Sequence, residues 1–405
     1  MLTPSPSVQS LPGSRIRVLF QPGGLAQLGG IAKQEGATRA LLVTDPGIVE
    51  AGHVERAMRS LYNAGIVTRL YDGVGENPTT EHVARGLAIA KKFDVDFIIG
   101  LGGGSSMDCA KGVNFLLTSG GQMSDYWGVN KATKPMLPLI AIPTTAGTGS
   151  EAQSAALITD PQTHNKMACW DERAAARVAI LDPDLTATQP RKVAAATGID
   201  AITHAVETAA STKRNDTSRR FSKAAWDLLS NAFVAALEGS GFRVQGSVNA
   251  NAQEVGTGTV SPSSLNPEPR TLNPLSDMLL GAHLAGCAIE NAMLGAAHAC
   301  ANPLTARYNI VHGHAVGVML PHVVRFNSSN GHRPYEDLDN DPRALAERLT
   351  TFLAAADIPA TLRQHGVHES SLGDMADLAA KQWTAAFNPT RVGPAELRAI
   401  YESAM

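Results

Sequence analysis

The chain has 405 residues, 44% of them apolar and 18% charged, with a net charge of −3. That length and balance describe an ordinary globular protein of two domains. So small a net charge excludes an electrostatic case for nucleic acid or an anionic membrane as partner, and no apolar run approaches the ~20 residues that cross a bilayer.

In chain order, residues 1–13 read as a loose tail with neither the charged start nor the apolar stretch of a leader peptide. ALLVTD (40–45), VTRLYDG (67–73), DFIIGLGGG (96–104), LPLIAIPTT (137–145) and RVAILD (177–182) then read as buried strands. Helical segments such as TTEHVARGLAIAKKF lie between them, which predicts a doubly wound parallel sheet over 14–187. Ligands of such a sheet bind beyond the carboxyl ends of its strands. Three features fall there: Asp45, the turn Gly102 to Ser106, and the loop Pro143 to Ser150.

The glycines let backbone approach a pyrophosphate, and the amides opening a helix near Ser106 face negative charge. The spacing is not G-x-G-x-x-G, and a Gly-Gly-Gly run also suits a plain strand-to-helix turn. The PTTAGTGSE loop adds hydroxyls fit for phosphate, ribose or carboxamide. A carboxylate at Asp45 accepts from a ribose and repels a 2′-phosphate, which favours NAD over NADP.

From about residue 188 the texture is helical to residue 405, with the boundary near Asp184 to Gln189. Residues 240–275 are rich in Gly, Ser, Asn, Pro and Thr and repeat Leu-Asn-Pro at 265 and 272, so they read as a disordered insert without chemistry of its own. Asp200 and His204 are four apart and share a helix face. His298 closes an apolar helical run interrupted at Asn302-Pro303, and His312 opens another, so three helix ends could bring four ligands together. One carboxylate and three imidazoles suit a divalent first-row ion, Fe²⁺ or Zn²⁺. Cys109, Cys169, Cys287 and Cys300 form no C-x-x-C pair, which points to a reducing compartment, the cytoplasm.

GLGGGSSMDCAKG, AIPTTAGTGSE, GIDAITHAVE, the His298 to His312 stretch and LPHVVRFN together resemble the iron-containing, or group III, alcohol dehydrogenases. The resemblance runs from about residue 17 to the C-terminus, apart from the insert. It implies an α/β dinucleotide-binding domain and an all-helical domain, the architecture shared with dehydroquinate synthase. It implies hydride transfer between an alcohol bound to a divalent metal and NAD(H), giving an aldehyde or ketone, in a homodimer. Asp200, His204, His298 and His312 are the implied ligands, for Fe²⁺ first and Zn²⁺ as the alternative. Asp45, Asn77, Gly103, Gly104, Ser105, Asp108, Thr144, Thr145, Thr148 and Lys166 are implied to surround NAD. Asn77 in E-N-P-T equally suits a turn, and Lys166 a solvated charge.

One departure is Asn302, where family members commonly carry a second histidine near the substrate. An amide orients but does not relay protons, which leaves His314 as the candidate to take over the relay and His322 as a core or cap residue. Within the same superfold, a polyol or hydroxy-acid dehydrogenase or a maleylacetate reductase-like enzyme fits most of these motifs. A catalytically inactive binding protein is the reading from another class.

Overall fold

The apolar strands carry side chains of period two that bury against different layers. The computed structural model describes residues 5, 7–163, 165–239 and 273–405. Its strands are β1 (Gln9–Ser10), β2 (Arg17–Phe20), β3 (Arg39–Val43), β4 (Val67–Tyr71), β5 (Phe97–Gly102), β6 (Gly128–Val129), β7 (Leu139–Pro143), β8 (Ala155–Thr159), β9 (Lys166–Trp170) and β10 (Val178–Leu181). Seven form one sheet in the order β1-β2-β10-β7-β5-β3-β4, parallel except for β1 against β2.

Helices α1 (Leu28–Gln34), α2 (Pro46–Glu50), α3 (His53–Asn63), α4 (Thr80–Lys92) and α5 (Gly104–Ser119) follow the strands. Leu28, Ile31, Val54 and Leu61 of α1 and α3 pack with Leu42, Ile99, Ile140 and Ile180 on one face of the sheet. Val83, Ala90, Met107 and Val113 of α4 and α5 pack with Leu41, Val43, Ile98 and Ala141 on the other. A sheet buried on both faces is what a doubly wound fold requires.

Beyond β10 the chain is helical: α6 (Pro183–Thr186), α7 (Arg191–Ala210), α8 (Asp216–Gly239), α9 (Pro274–Asn291), α10 (Ala296–Tyr308), α11 (His312–Asn327), α12 (Pro342–Ala355), α13 (Leu372–Ala380) and α14 (Pro394–Ser403). Helix α7 is almost wholly buried from Ala195 to Ala210 and forms the axis of this half. No single helix among the described residues is long and apolar enough to cross a membrane.

Several expectations change. Gln9 and Ser10, assigned to a loose tail, pair with Val18 and Arg17. A small sheet of β6, β9 and β8, including the β8–β9 hairpin, was not foreseen. Pro303 does not interrupt its helix but lies inside α10, and the break falls earlier, between Asn291 and Ala296. A proline loosens its turn by removing one donor, and there Tyr401 Oη donates to the Cys300 carbonyl at 2.6 Å. Asp200 and His204 sit in the middle of α7, not at a helix end. Of the segment 240–275, residues 240–272 lie outside the described residues, while Asn273 caps α9 by accepting from the Leu275 amide at 3.1 Å.

Candidate metal centre and cofactor cleft

Three neighbouring strands deliver the glycine-rich features to one edge of the sheet. β3 ends at Val43, two residues before Asp45; β5 ends at Gly102, which pairs with Pro143 at the end of β7. Gly102 has φ of +146°, a region open to glycine alone, and a Cβ there would lie 2.7 Å from Ser106 Oγ and 3.0 Å from Asp45 Oδ2. Gly103 is the N-cap of α5 without a side-chain cap, so the amides of Gly104 and Ser105 open the helix free of a side-chain partner. Such amides, with the helix dipole behind them, are ready for a phosphate.

Asp45 caps α2 through the Ile48 amide at 3.2 Å and accepts from Ser106 Oγ at 2.9 Å. This pairing ties the carboxylate to the glycine turn. Thr144 is buried, with its amide on the Gly102 carbonyl at 3.0 Å. Thr145 Oγ1 is buried without a hydrogen-bond partner, a donor and acceptor left over for a ligand. Thr148 Oγ1 accepts from the Ser150 amide at 3.3 Å and would lie 2.9 Å from a Cβ on Gly104, so the two loops touch.

Asp108 lies deeper than the cradle surface, with its oxygens taken by Ser150 Oγ at 2.6 Å and the Leu157 amide at 3.2 Å. Burial raises its pKa, against the pull of Lys111. Lys111, which sequence reasoning passed over, is fully buried and gives its protons to Ser150 O, Ser150 Oγ and Ala155 O at 2.7, 3.0 and 2.8 Å. It fastens the second loop to α5. Asn77 is exposed with φ of +51°, a turn conformation that asparagine tolerates. Lys166 opens β9 and is exposed, and its charge favours the ionised form of Asp108 and the neutral form of His312.

The helical half packs onto the second loop through glycines. A Cβ on Gly147 would collide with Thr197 of α7, and one on Gly149 would lie 2.7 Å from Gly286 Cα of α9. Just behind this contact, Asp200 Oδ1 has three imidazole nitrogens around it: His204 Nε2 at 3.4 Å, His298 Nε2 at 3.5 Å and His312 Nε2 at 3.8 Å. Asp200, His298 and His312 offer ligand atoms that all lie within 4.8 Å of one another. His204 stands alongside, its ring stacked on His298 at 5.0 Å. Thr197, which meets Gly147, is three residues before Asp200 on α7, and this contact brings the cluster up to the cofactor loop. Burial lowers the pKa of His204 against the pull of Asp200.

These residues fit a divalent ion on structural grounds. Asp200 Oδ1 and His298 Nε2 are buried without hydrogen-bond partners, a costly arrangement unless something accepts their lone pairs. Tetrahedral donors about 2.1 Å from an ion lie about 3.4 Å apart, close to the spacings around Asp200. Burial opposes ionisation of Asp200, yet the three imidazoles hold its pKa well below the carboxylate range. Burial pushes His312 down to about 3. His298 differs: burial lowers it, but Glu207 and Asp200 on either ring nitrogen overcome that and raise it to about 9. Glu207 took no role in the sequence reading.

One helical turn beyond His298, Asn302 Nδ2 donates to Gln382 Oε1 at 3.0 Å. Trp383 beside Gln382 meets Trp170 of β9 edge-on at 6.2 Å. His314 packs its ring against His365 at 6.0 Å. His322 Nδ1 meets Ser403 Oγ at 2.9 Å, in keeping with a structural role.

Comparison with known proteins accords with this geometry. Residues 16–183 match the model of the iron-containing alcohol dehydrogenases, and residues 269–405 match that of the family's C-terminal domain. Alcohol dehydrogenase 4 of Schizosaccharomyces pombe is 35% identical, over 96% of this chain and 87% of its own. The 1,3-propanediol dehydrogenase of Klebsiella pneumoniae is 33% identical, over 95% and 96%. A crystal structure of a 1,3-propanediol oxidoreductase superposes with a TM-score of 0.84 at 31% identity, covering 98% of each chain. With both halves matched in order and near full-length relatives at this identity, the chain belongs to the iron-containing alcohol dehydrogenase family.

Proposed function

We propose that this protein interconverts small alcohols with their aldehydes or ketones, using NAD(H) and an Fe²⁺ ion held by Asp200, His204, His298 and His312. The observation that carries the reading is the Asp200 oxygen ringed by three imidazole nitrogens directly behind the Gly147 turn of the cofactor loop. When bound, the ion supplies Lewis acidity toward the alcohol or carbonyl oxygen and NAD supplies the hydride acceptor, in a pocket shaped by the protein.

The chain's own residues hold and orient. The amides of Gly104 and Ser105 and the glycines before them take the pyrophosphate. Thr144, Thr145 and Thr148 face the nicotinamide half, with Thr145 Oγ1 free to bond it. Asp45 takes the adenosine ribose, its second oxygen steadied by Ser106, and rejects a 2′-phosphate. Asn302, braced by Gln382, orients substrate through an uncharged amide. Asn77 and Lys166 border the cleft, and Asp108 supports the cradle from below. We read the protein as a cytoplasmic homodimer with an N-terminal cofactor domain to about residue 187 and a helical domain after it; its four cysteines are free and buried, which supports a reducing environment.

The test is reconstitution. Anaerobically purified protein loaded with Fe²⁺ or Zn²⁺ should oxidise NADH with a panel of short aldehydes and ketones. His298→Ala should abolish both metal retention and turnover. Stoichiometric metal and tight NADH binding without turnover on any carbonyl would support the inactive binding protein instead.

A further inference from the structure

The imidazole of His298 is useful to a metal only if its Nε2 lone pair points at the cluster and its proton stays on Nδ1. Glu207, one turn after His204 on α7, is 4% exposed and stands on the far side of that ring. Its Oε2 lies 2.6 Å from His298 Nδ1, and its Oε1 accepts the Ala297 amide at 2.6 Å. The two oxygens thus do different things. One satisfies an orphan amide in the first turn of α10, where a negative charge is also favoured by the helix dipole. The other fixes the rotation and the tautomer of the histidine two residues into that helix.

We propose that Glu207 is the positioning residue of the metal centre, locking His298 with Nδ1 protonated and Nε2 turned toward Asp200. This inference rests on the metal reading given above. Gly295 keeps the approach open: a Cβ there would lie 3.1 Å from Glu207 Oε1 and 3.1 Å from Asn388 Oδ1. Asn388 is the neighbouring clamp, accepting the Ala296 amide at 3.3 Å, but the rest of its side chain bonds Asn327 and the Thr390 carbonyl and not the imidazole. The structure therefore supplies its own control. Both side chains hold the start of α10, and Glu207 alone of the two holds the ring.

The experiment compares Zn²⁺ affinity, by competition with a chromophoric chelator, in the full-length wild type, E207Q and N388A, together with apo-protein melting temperature. In E207Q the carbonyl oxygen can still accept the Ala297 amide, whereas the new amide group cannot accept the Nδ1 proton. We expect E207Q to lose about 10- to 100-fold in Zn²⁺ affinity. N388A should melt at lower temperature but bind Zn²⁺ within about 3-fold of wild type, a difference that the positioning role requires. Equal affinity in E207Q and wild type, or an equal loss in N388A, would overturn the inference. Wild-type protein that takes up no stoichiometric Zn²⁺ would overturn the metal reading itself. Should E207Q fail to fold, wild type still decides: in Zn²⁺-loaded, ¹⁵N-histidine-labelled protein the Nδ1 proton of His298 should exchange slowly with solvent, and fast exchange would sink the assignment.

Discussion

The cofactor cradle and the metal cluster face one another and are made of different material. The cradle is backbone: free amides at the start of α5, a glycine at φ of +146°, and loops packed so closely that Gly102, Gly104, Gly147 and Gly149 have no room for a side chain. The cluster is side chain: one carboxylate and three imidazoles from three helices, with Asp200 Oδ1 and His298 Nε2 buried and unmatched. A backbone site is ruined by adding atoms, a side-chain site by removing them. The two should therefore fail separately, and their failures can be measured separately, by NADH affinity on one side and metal affinity on the other.

The largest effect should come from the cluster. Asp200→Asn or His298→Ala should lower kcat/KM by about 10³-fold or more, since Lewis acidity contributes several kcal/mol. NADH affinity, read by fluorescence, should change little. A matching loss of NADH binding would show that cradle and cluster are one structural unit and break the distinction. The reciprocal variant is Gly149→Val. It forces a β-branched residue into φ of +62° against Gly286, with strain and overpacking of about 1–3 kcal/mol. NADH should bind about 10- to 100-fold more weakly while Zn²⁺ stoichiometry is retained.

Asp45→Ser sharpens the same division within the cradle. If Asp45 repels a 2′-phosphate as proposed, its removal should raise relative NADPH use by about 10-fold. Part of the loss in NADH affinity will come from the Ile48 cap and the Ser106 contact, which serine keeps incompletely.

How much of this could be read in the sequence follows the same line. Loops at strand ends were legible because glycine runs and nearly continuous apolar runs leave local marks, and the strands at 40–45, 96–104 and 137–145 were placed from them. The four side chains that the structure gathers around Asp200 Oδ1 had been picked out together from their types and spacing. What escaped were long-range partners: Lys111, which binds residues about forty positions on; Glu207, which binds His298 ninety-one positions on; Gln382, eighty positions from Asn302. Lys111 and Glu207 each sit in a motif whose other members carried the obvious chemistry, and Gln382 sits in none. A lysine and a glutamate inside predominantly apolar helical stretches were nonetheless a signal, because buried charges persist where they are paired. Pro303 misled for the opposite reason: local propensity against proline was outweighed by tertiary packing around α10.

The junction between the halves carries a pH-dependent stability. His283 of α9 is fully buried between Glu151 of the cofactor loop, 3.2 Å from Nδ1, and Cys287, 3.7 Å from Nε2. Burial lowers its pKa, but Cys287 and Glu151 outweigh it and raise it to about 10. The folded protein therefore holds a proton that the unfolded chain releases near 6.5. The stabilisation is whole below pH about 6.5, weakens above it and is gone once the pH passes about 10. The melting temperature should fall by about 2–4 °C across that window, and His283→Gln should flatten the fall.

The smallest effect is reserved for His314. Its ring packs on His365, and burial, then that neighbour, lowers its pKa, which favours the neutral imidazole. A general acid or base contributes about 10²-fold or more when it acts in the rate-limiting step. His314→Gln should instead change kcat by less than about 3-fold, and the pH profile of kcat should keep its shape. A loss near 10²-fold, with the acidic limb of the profile displaced, would make His314 the proton relay that Asn302 cannot be. Proton transfer would then depend on His314, and the uncharged Asn302–Gln382 bridge would serve orientation alone.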